Sequence, residues 1–381
     1  MILMDVERTL SELVAINSVF PKEDKVAIYL EKELKMQNFK TTRQYVENGR
    51  FNLFAERGRG KKSILFYGHM DTVPVYGKWK RSPLTLTKSK GKLLGLGSQD
   101  MKAGIAATME SVKGFENKRI KLLFCVDEEN ISKGAWAAVK GKKTWFKDVG
   151  LMISGEPGNS KENHGGVNKP TLGRRGRCVL SIHINGRSAH GALSGRGESA
   201  LEAAAQIATH ITGMRLRKHK ELGDESLFVR KLESASTSLS IPDHAYMELD
   251  IHMVPPTTIN GIRKNVETFI TGLKRRGILH NGITVKVSLR KRDTPYLEPY
   301  VTDMKNNEVK KVLKTIEDNF GNPKINYGMS VADENAFANE MHFPVMAIGA
   351  EGGNAHSANE WISRESIHDL VRLYKSIITE F

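Results

Sequence analysis

Apolar residues recur at helical spacing over residues 5–17 (DVERTLSELVAIN) and 23–37 (EDKVAIYLEKELKMQ), which predicts two amphipathic helices at the start of the chain. Short β-like runs follow at 51–56, 63–67 and 120–126. The run SILFYGHMD is continuously apolar before it turns polar, as a strand buried on both faces of an α/β sheet would be. Residues 101–112 (MKAGIAATMESV) predict a small-residue helix and 150–154 (GLMIS) another short strand. This alternation predicts a sheet with helices on its faces.

The pattern changes near Arg174. From there the periodicity predicts strand 177–185, helix 197–218, strands 226–233 and 245–254, helix 258–275 and strand 282–289. The order βαββαβ is the ferredoxin-like plan, large enough to form a domain of its own. Beyond the charged stretch 290–299 the alternation resumes, with helix 306–319, strand 343–348 and a last helix near 364–380. The expected organisation is an α/β catalytic domain in two parts, 1–173 and 292–381, interrupted by an α+β domain at 174–291.

Length agrees with two domains, since 381 residues exceed one typical domain. With 39% hydrophobic and 27% charged residues, the composition is that of an ordinary globular chain. No apolar run reaches the length of a membrane helix, and the acidic residue at position 5, with no apolar stretch after it, argues against a signal peptide. The expected location is the cytoplasm. The net charge is +15, but the basic residues are scattered and no aromatics interleave with them, which argues against a nucleic-acid platform and for a solvated basic face. Cys125 and Cys178 each lie in an apolar strand-like run and are expected to be buried thiols.

Five polar segments interrupt this frame: Gly68-His69-Met70-Asp71, Gly97 to Lys102 around Asp100, Asp127-Glu128-Glu129, Gly155-Glu156-Pro157, and Ala355 to Glu360 around His356. Most sit just after an apolar strand or before a helix, where open α/β sheets form their ligand crevice. Each has an ordinary use when taken alone. Asp100 is placed to cap a helix, Asp127 to Glu129 suit an exposed acidic loop, Glu156 a plain loop carboxylate, and His356 a surface loop. Asp71, two residues beyond His69 at a strand end, points the same way and is placed to orient its ring. Taken together, two histidines and three carboxylates at separate strand ends are a suitable donor set for two zinc-like ions, each with one histidine, one terminal carboxylate and the shared Asp100.

The ordered set GHMDTVP, GLGSQDMKAG, DEE, GEP and AHSANE resembles the zinc-dependent amidohydrolase and exopeptidase family. That family includes acetylornithine deacetylase, succinyl-diaminopimelate desuccinylase, aminoacylase, glutamate carboxypeptidase and tripeptidase T. The likeness covers nearly the whole chain. It implies a mixed-sheet metallohydrolase domain with an inserted ferredoxin-like dimerisation (lid) domain, two Zn²⁺ per subunit with Co²⁺ able to substitute, and a homodimer. His69 and Glu156 are then expected to hold one ion, Glu129 and His356 the other, and Asp100 to bridge them. Glu128 is the implied general base, taking a proton from the attacking water and passing it to the leaving amine, and Asp71 orients His69. In Gly186 to Gly191, which resembles the family's GxxAH segment, His190 is implied to reach the oxyanion. The expected substrate is an N-acyl amino acid, with a dipeptide or peptide C-terminus as the alternative. A non-catalytic binding relative would lack a ligand or Glu128, and no such loss is present.

The match departs at positions that bear on the substrate. Where the family often has Arg, the strand reads Asp250-Ile251-His252, and His lacks the fixed guanidinium fork. Thr237 to Ser240 replaces a segment that usually contains Asn, and the loop from Gly349 reads GAEGG instead of GPG. Gly173-Arg174-Arg175-Gly176 resembles the stretch in desuccinylases whose second arginine meets the substrate. Arg175 and Gly349 are therefore expected at the substrate, while a basic hinge at the domain junction is an equal reading of Arg175.

Overall fold

The apolar run that ends at His69 is buried from Ser63 onward, because successive side chains of this strand face opposite covered sides of a sheet. Phe66 packs against Tyr374 of helix Arg364–Glu380, and Tyr67 against Phe337 of helix Glu334–Glu340. The computed structural model describes residues 6–160, 163–236 and 238–381; Thr237 of the segment singled out above lies outside them. By contact density the chain divides into two units, one made of the residues up to Arg174 with Val301–Phe381, the other of Arg175–Tyr300.

The first unit is built on a mixed sheet. Its strands are β1 (Lys40–Glu47), β2 (Arg50–Arg57), β3 (Arg59–His69), β4 (Lys118–Cys125), β5 (Val149–Ser154), β6 (Thr171–Arg174), β7 (Asn326–Gly328) and β8 (Val345–Ala347). They run in the order β1-β2-β4-β3-β5-β8-β6, with β7 beside β6. The central neighbours β4, β3, β5 and β8 are parallel to one another, whereas β1, β2 and the β8–β6 pair are antiparallel. Leu10, Leu30, Ile105 and Leu370 from four helices close one hydrophobic cluster with Phe66, Leu122 and Ile153 of the strands. On the other side Phe54, Trp145, Phe146, Phe337 and Phe343 stack into an aromatic layer. A small antiparallel sheet pairs Lys92–Leu94 with Trp361–Ser363, and the latter with Gly352–Gly353.

The second unit has strands Gly176–Asn185, Ser226–Glu233, His244–Met253 and Thr284–Leu289 and helices Ala200–Ile211 and Ile259–Arg275, in βαββαβ order. The strands lie second-third-first-fourth, all antiparallel. Cys178, Leu180, Ile182 and Ile184 alternate onto the face that packs with Ile207, Ile211, Ile262 and Val266. Both helices start on a hydroxyl cap, Ser199 Oγ accepting from Glu202 N at 3.2 Å and Thr258 Oγ1 from Gly261 N at 3.1 Å.

Two elements differ from the sequence expectation. The helix expected over 197–218 stops at Ile211. Gly213 N–H turns back to His210 O, and Lys218–His219 instead pairs with Gly223–Asp224. The small-residue helix begins at Ala103, because Ser98–Lys102 is a tight turn with non-helical backbone at Asp100 and Met101. Both cysteines are buried and unpaired. Among the described residues no helix is long and apolar enough to cross a membrane.

Candidate metal centre

Because β4, β3, β5 and β8 are parallel, their C-terminal ends lie along one edge of the sheet, where such sheets hold ligands. β3 ends at His69, β4 runs into Asp127-Glu128-Glu129, β5 into Gly155-Glu156 and β8 into Gly349. Asp100 comes from the turn before helix Ala103–Ser111, and His356 from the loop that follows Gly352–Gly353.

His69 Nε2 lies 3.0 Å from Asp100 Oδ1 and 3.0 Å from Glu156 Oε1. His356 Nε2 lies 3.3 Å from Asp100 Oδ2 and 3.0 Å from Glu129 Oε2. Asp100 thus turns one oxygen to each histidine. The donor atoms of His69, Asp100 and Glu156 fall within 4.8 Å of one another, as do those of Asp100, Glu129 and His356, and those of His69, Glu128 and Glu129. The five residues expected as metal ligands are brought together in the first unit, with Glu128 beside them. Asp100 does not cap the following helix, whose first position is preceded by Lys102 without a side-chain cap.

The backbone is built to hold this arrangement. A methyl on Gly104 would meet Gly155 O at 2.4 Å, so the helix rides directly on the peptide before Glu156; a methyl on Gly349 would meet Glu156 O at 2.7 Å from its own side. Asp71 has a wider role than expected. Its carbonyl oxygen, 3.1 Å from His69 Nδ1, is closer than its carboxylate at 3.4 Å. The carboxylate accepts instead from Glu128 N at 3.2 Å and Glu129 N at 2.9 Å. The next carboxylate, Asp127, accepts from Lys133 N at 3.0 Å and from Arg50 Nη2 at 3.0 Å, and Arg50 is also paired with buried Glu23. The acidic loop is therefore a rigid strand end and not a solvated one.

The charges explain what the cluster accepts. Burial raises the Glu156 carboxyl to about 8, with Asp100 adding repulsion and His69 opposing it. Burial and the Asp100 charge raise Glu129 as well, against the pull of His356. Burial also raises Glu128 well above its ordinary range; His69 pulls it back, while Glu156, Glu129 and Asp333 push it up further. The Asp100 and Glu129 carboxylates raise His356 to about 11. Such a set holds extra protons until cations replace them. Glu129 Oε1 is buried and makes no hydrogen bond. Imidazole and carboxylate donors, an oxygen without a partner and a shared carboxylate all fit two divalent ions.

Several contributors carried no assigned role in the sequence. Glu360 is buried and accepts from three backbone N–H groups of the Asp100 turn, at Gly97, Gln99 and Asp100. Burial raises its carboxyl to about 7 against those three donors. Arg174, also buried, lies 3.3 Å from Glu334 Oε1 and 3.9 Å from Glu156 Oε2. Tyr67 hydrogen-bonds Asp333 beneath the site. The acidic residue closing AHSANE was visible as part of a motif, but its partners were not. The other expected residues belong to the second unit. His190 is exposed, and its Nδ1 accepts from Ala192 N at 3.2 Å. Arg175 is buried and gives Nε and Nη2 to Leu222 O at 3.0 and 2.9 Å, bracing its strand against the turn that follows His219. His252 pairs across the sheet with Arg177, and burial lowers its pKa.

Known proteins share this frame. The model of peptidase family M20/M25/M40 matches residues 65–380. A succinyl-diaminopimelate desuccinylase of Sulfurovum sp. (strain NBC37-1) is 26% identical over 99% of both chains. An acetylornithine deacetylase of Erwinia tasmaniensis is 33% identical over 44% of this chain and 42% of its own. Aminopeptidase PepT from Bacillus cereus ATCC 10987 has the same fold, with a TM-score of 0.78 and 20% identity over 98% of this chain and 97% of that one. So does the Bacillus subtilis YXEP protein, described as a dinuclear metal-binding peptidase, with a TM-score of 0.73 and 13% identity over 99% and 97%. With this match and the strand-end cluster of histidines and carboxylates, the chain belongs to the M20/M25/M40 peptidase family and is a metal-dependent hydrolase of amide bonds.

Proposed function

We propose that the protein removes the acyl group from an N-acyl amino acid, in the manner of a deacetylase or desuccinylase. The observation that carries the reading is the pair of three-residue donor groups sharing Asp100. A relative that matches over 99% of both chains is a desuccinylase, which favours an acyl amino acid over a peptide. In this reading His69 and Glu156 would hold one ion and His356 and Glu129 the other, with Asp100, which turns one oxygen to each histidine, shared between them. Divalent ions such as zinc, if held there, would supply Lewis acidity, lowering the pKa of water and polarising the scissile carbonyl. Glu128 takes the proton from the attacking water as the carbonyl carbon gains its new oxygen. It returns that proton to the nitrogen as the C–N bond breaks, and the second proton of the water also passes to the amine, leaving a carboxylate and an ammonium group. The place of Glu128 beside His69 and Glu129 suits a group that must accept and then release a proton at the reacting water. Asp71, through the N–H groups of Glu128 and Glu129, keeps base and ligand on one rigid loop.

The test compares amine release from N-succinyl and N-acetyl amino acids with release from dipeptides, using protein loaded with zinc or cobalt. Faster turnover of the acyl amino acids is expected; preference for dipeptides would make the protein a peptidase, and no turnover of either set would overturn the hydrolytic reading. The same reading takes Arg175–Tyr300 as the pairing domain of a cytoplasmic homodimer. Light scattering is expected to give twice the 42.5 kDa chain mass, and a mass of one chain would remove that part of the proposal.

A further inference from the structure

The turn that carries Asp100 has non-helical backbone at Asp100 and Met101 and no side-chain cap to hold its shape. It is held by a carboxylate from a distant part of the chain. Glu360 Oε2 accepts from Gly97 N at 2.7 Å, and Oε1 accepts from Gln99 N at 2.7 Å and Asp100 N at 3.0 Å. Three N–H groups of one turn thus converge on one carboxylate, and such charge-assisted bonds are among the stronger ones. Gly97 adopts a φ of 70°, and a methyl there would meet Thr72 Cγ2 at 2.5 Å, so the turn has no alternative packing with a side chain at that point. The backbone repeats the clamp. Gly95 N donates to Glu360 O at 3.1 Å, and the strand that starts at Trp361 pairs with Leu94 just before the turn.

Glu360 also ends the loop that carries His356. That loop leaves one strand at Gly353 and returns at Trp361, which pairs with it. One residue thus joins the segment of His356 to the turn of Asp100, whose side chains meet at 3.3 Å. We propose that Glu360 is a positioning residue that sets the Asp100 carboxylate against His356, and thereby the affinity of the ion held by His356, Glu129 and Asp100. The inference rests on the two-ion reading above. Both ions share Asp100, but the ion between His69 and Glu156 has its other two ligands at the end of β3 and beyond β5, whereas His356 stands on the loop that Glu360 itself closes, so the second ion depends on the clamp more.

The experiment is a Co²⁺ titration of metal-free protein, followed by visible absorption and by ion content after gel filtration. Wild type and Glu360→Gln are compared. Glutamine keeps the shape but must set an NH₂ against at least one of the three N–H donors. The expected result is one ion bound as in wild type and the second weakened by about 10- to 100-fold, the range typical for partners that orient ligands. General destabilisation would weaken both steps together and would overturn the proposal, as would two unchanged affinities. If Glu360→Gln does not fold, Glu360→Asp, which keeps the charge but withdraws it by one methylene, is read in the same way. Fewer than two ions on wild type would instead overturn the two-ion reading itself, so the two failures are distinct.

Discussion

Glu128→Gln is expected to lower kcat by about 10² to 10⁴-fold, the span usually lost with a general base, while both ions stay bound. Glu128 lies in a donor group with His69 and Glu129, close enough for its oxygen to face a water held there. Its backbone N–H, not its side chain, is what Asp71 grips, so the substitution leaves the loop in place. Glutamine has nearly the same volume and shape as glutamate, so it fits the same space. The thermal midpoint is therefore expected to stay within a few degrees of wild type. Ion content by elemental analysis and kcat on the best acyl amino acid give the answer. A variant within tenfold of wild type would show that another group moves the proton.

Removal of the ions is expected to abolish turnover and to lower the thermal midpoint, by an amount that grows as pH rises. In metal-free protein the Glu156 carboxyl, at about 8 when folded against 4.5 as its ordinary value, stays protonated through pH values at which the unfolded chain has ionised. His356, at about 11 against 6.5, stays protonated where the unfolded chain has lost its proton. Both raised values give the same sign: the folded state binds more protons, so stability is fullest below the unfolded pKa values and falls as pH rises toward the folded ones. Bound ions take the place of those protons and remove the loss. Each ion adds on the order of 4 kcal/mol when present at a thousand times its dissociation constant. Scanning calorimetry of chelated and metal-loaded protein between pH 6.5 and pH 8 checks this, and a gap that is absent, or constant with pH, would sink it.

What could be read in the sequence was local. The run SILFYGHMD announced a strand covered on both faces because both covered faces, Phe66 and Tyr67, lie within it. The second unit's strands followed their alternation for the same reason. Helix 197–218 was overextended because Met214 continues the helical spacing of Ile207 and Ile211. Met214 does pack in the core, but from beyond the end of the helix. Asp100 read equally well as a cap, since Asp before a helix is the same signal in either use. Only the turn geometry sends its two oxygens to two histidines.

By itself, then, the sequence determined which residues can bind and transfer charge, and that they stand at strand ends, because side-chain chemistry and strand periodicity are properties of short segments. Tertiary structure alone decided what each one faces. Glu360 meets N–H groups more than two hundred residues away, Asp71 grips the backbone of Glu128 and Glu129, and Arg175 is engaged by Leu222. Those partners depend on which strands become neighbours, and that is settled by burial of the whole core on folding, a sum over the chain that no single segment carries.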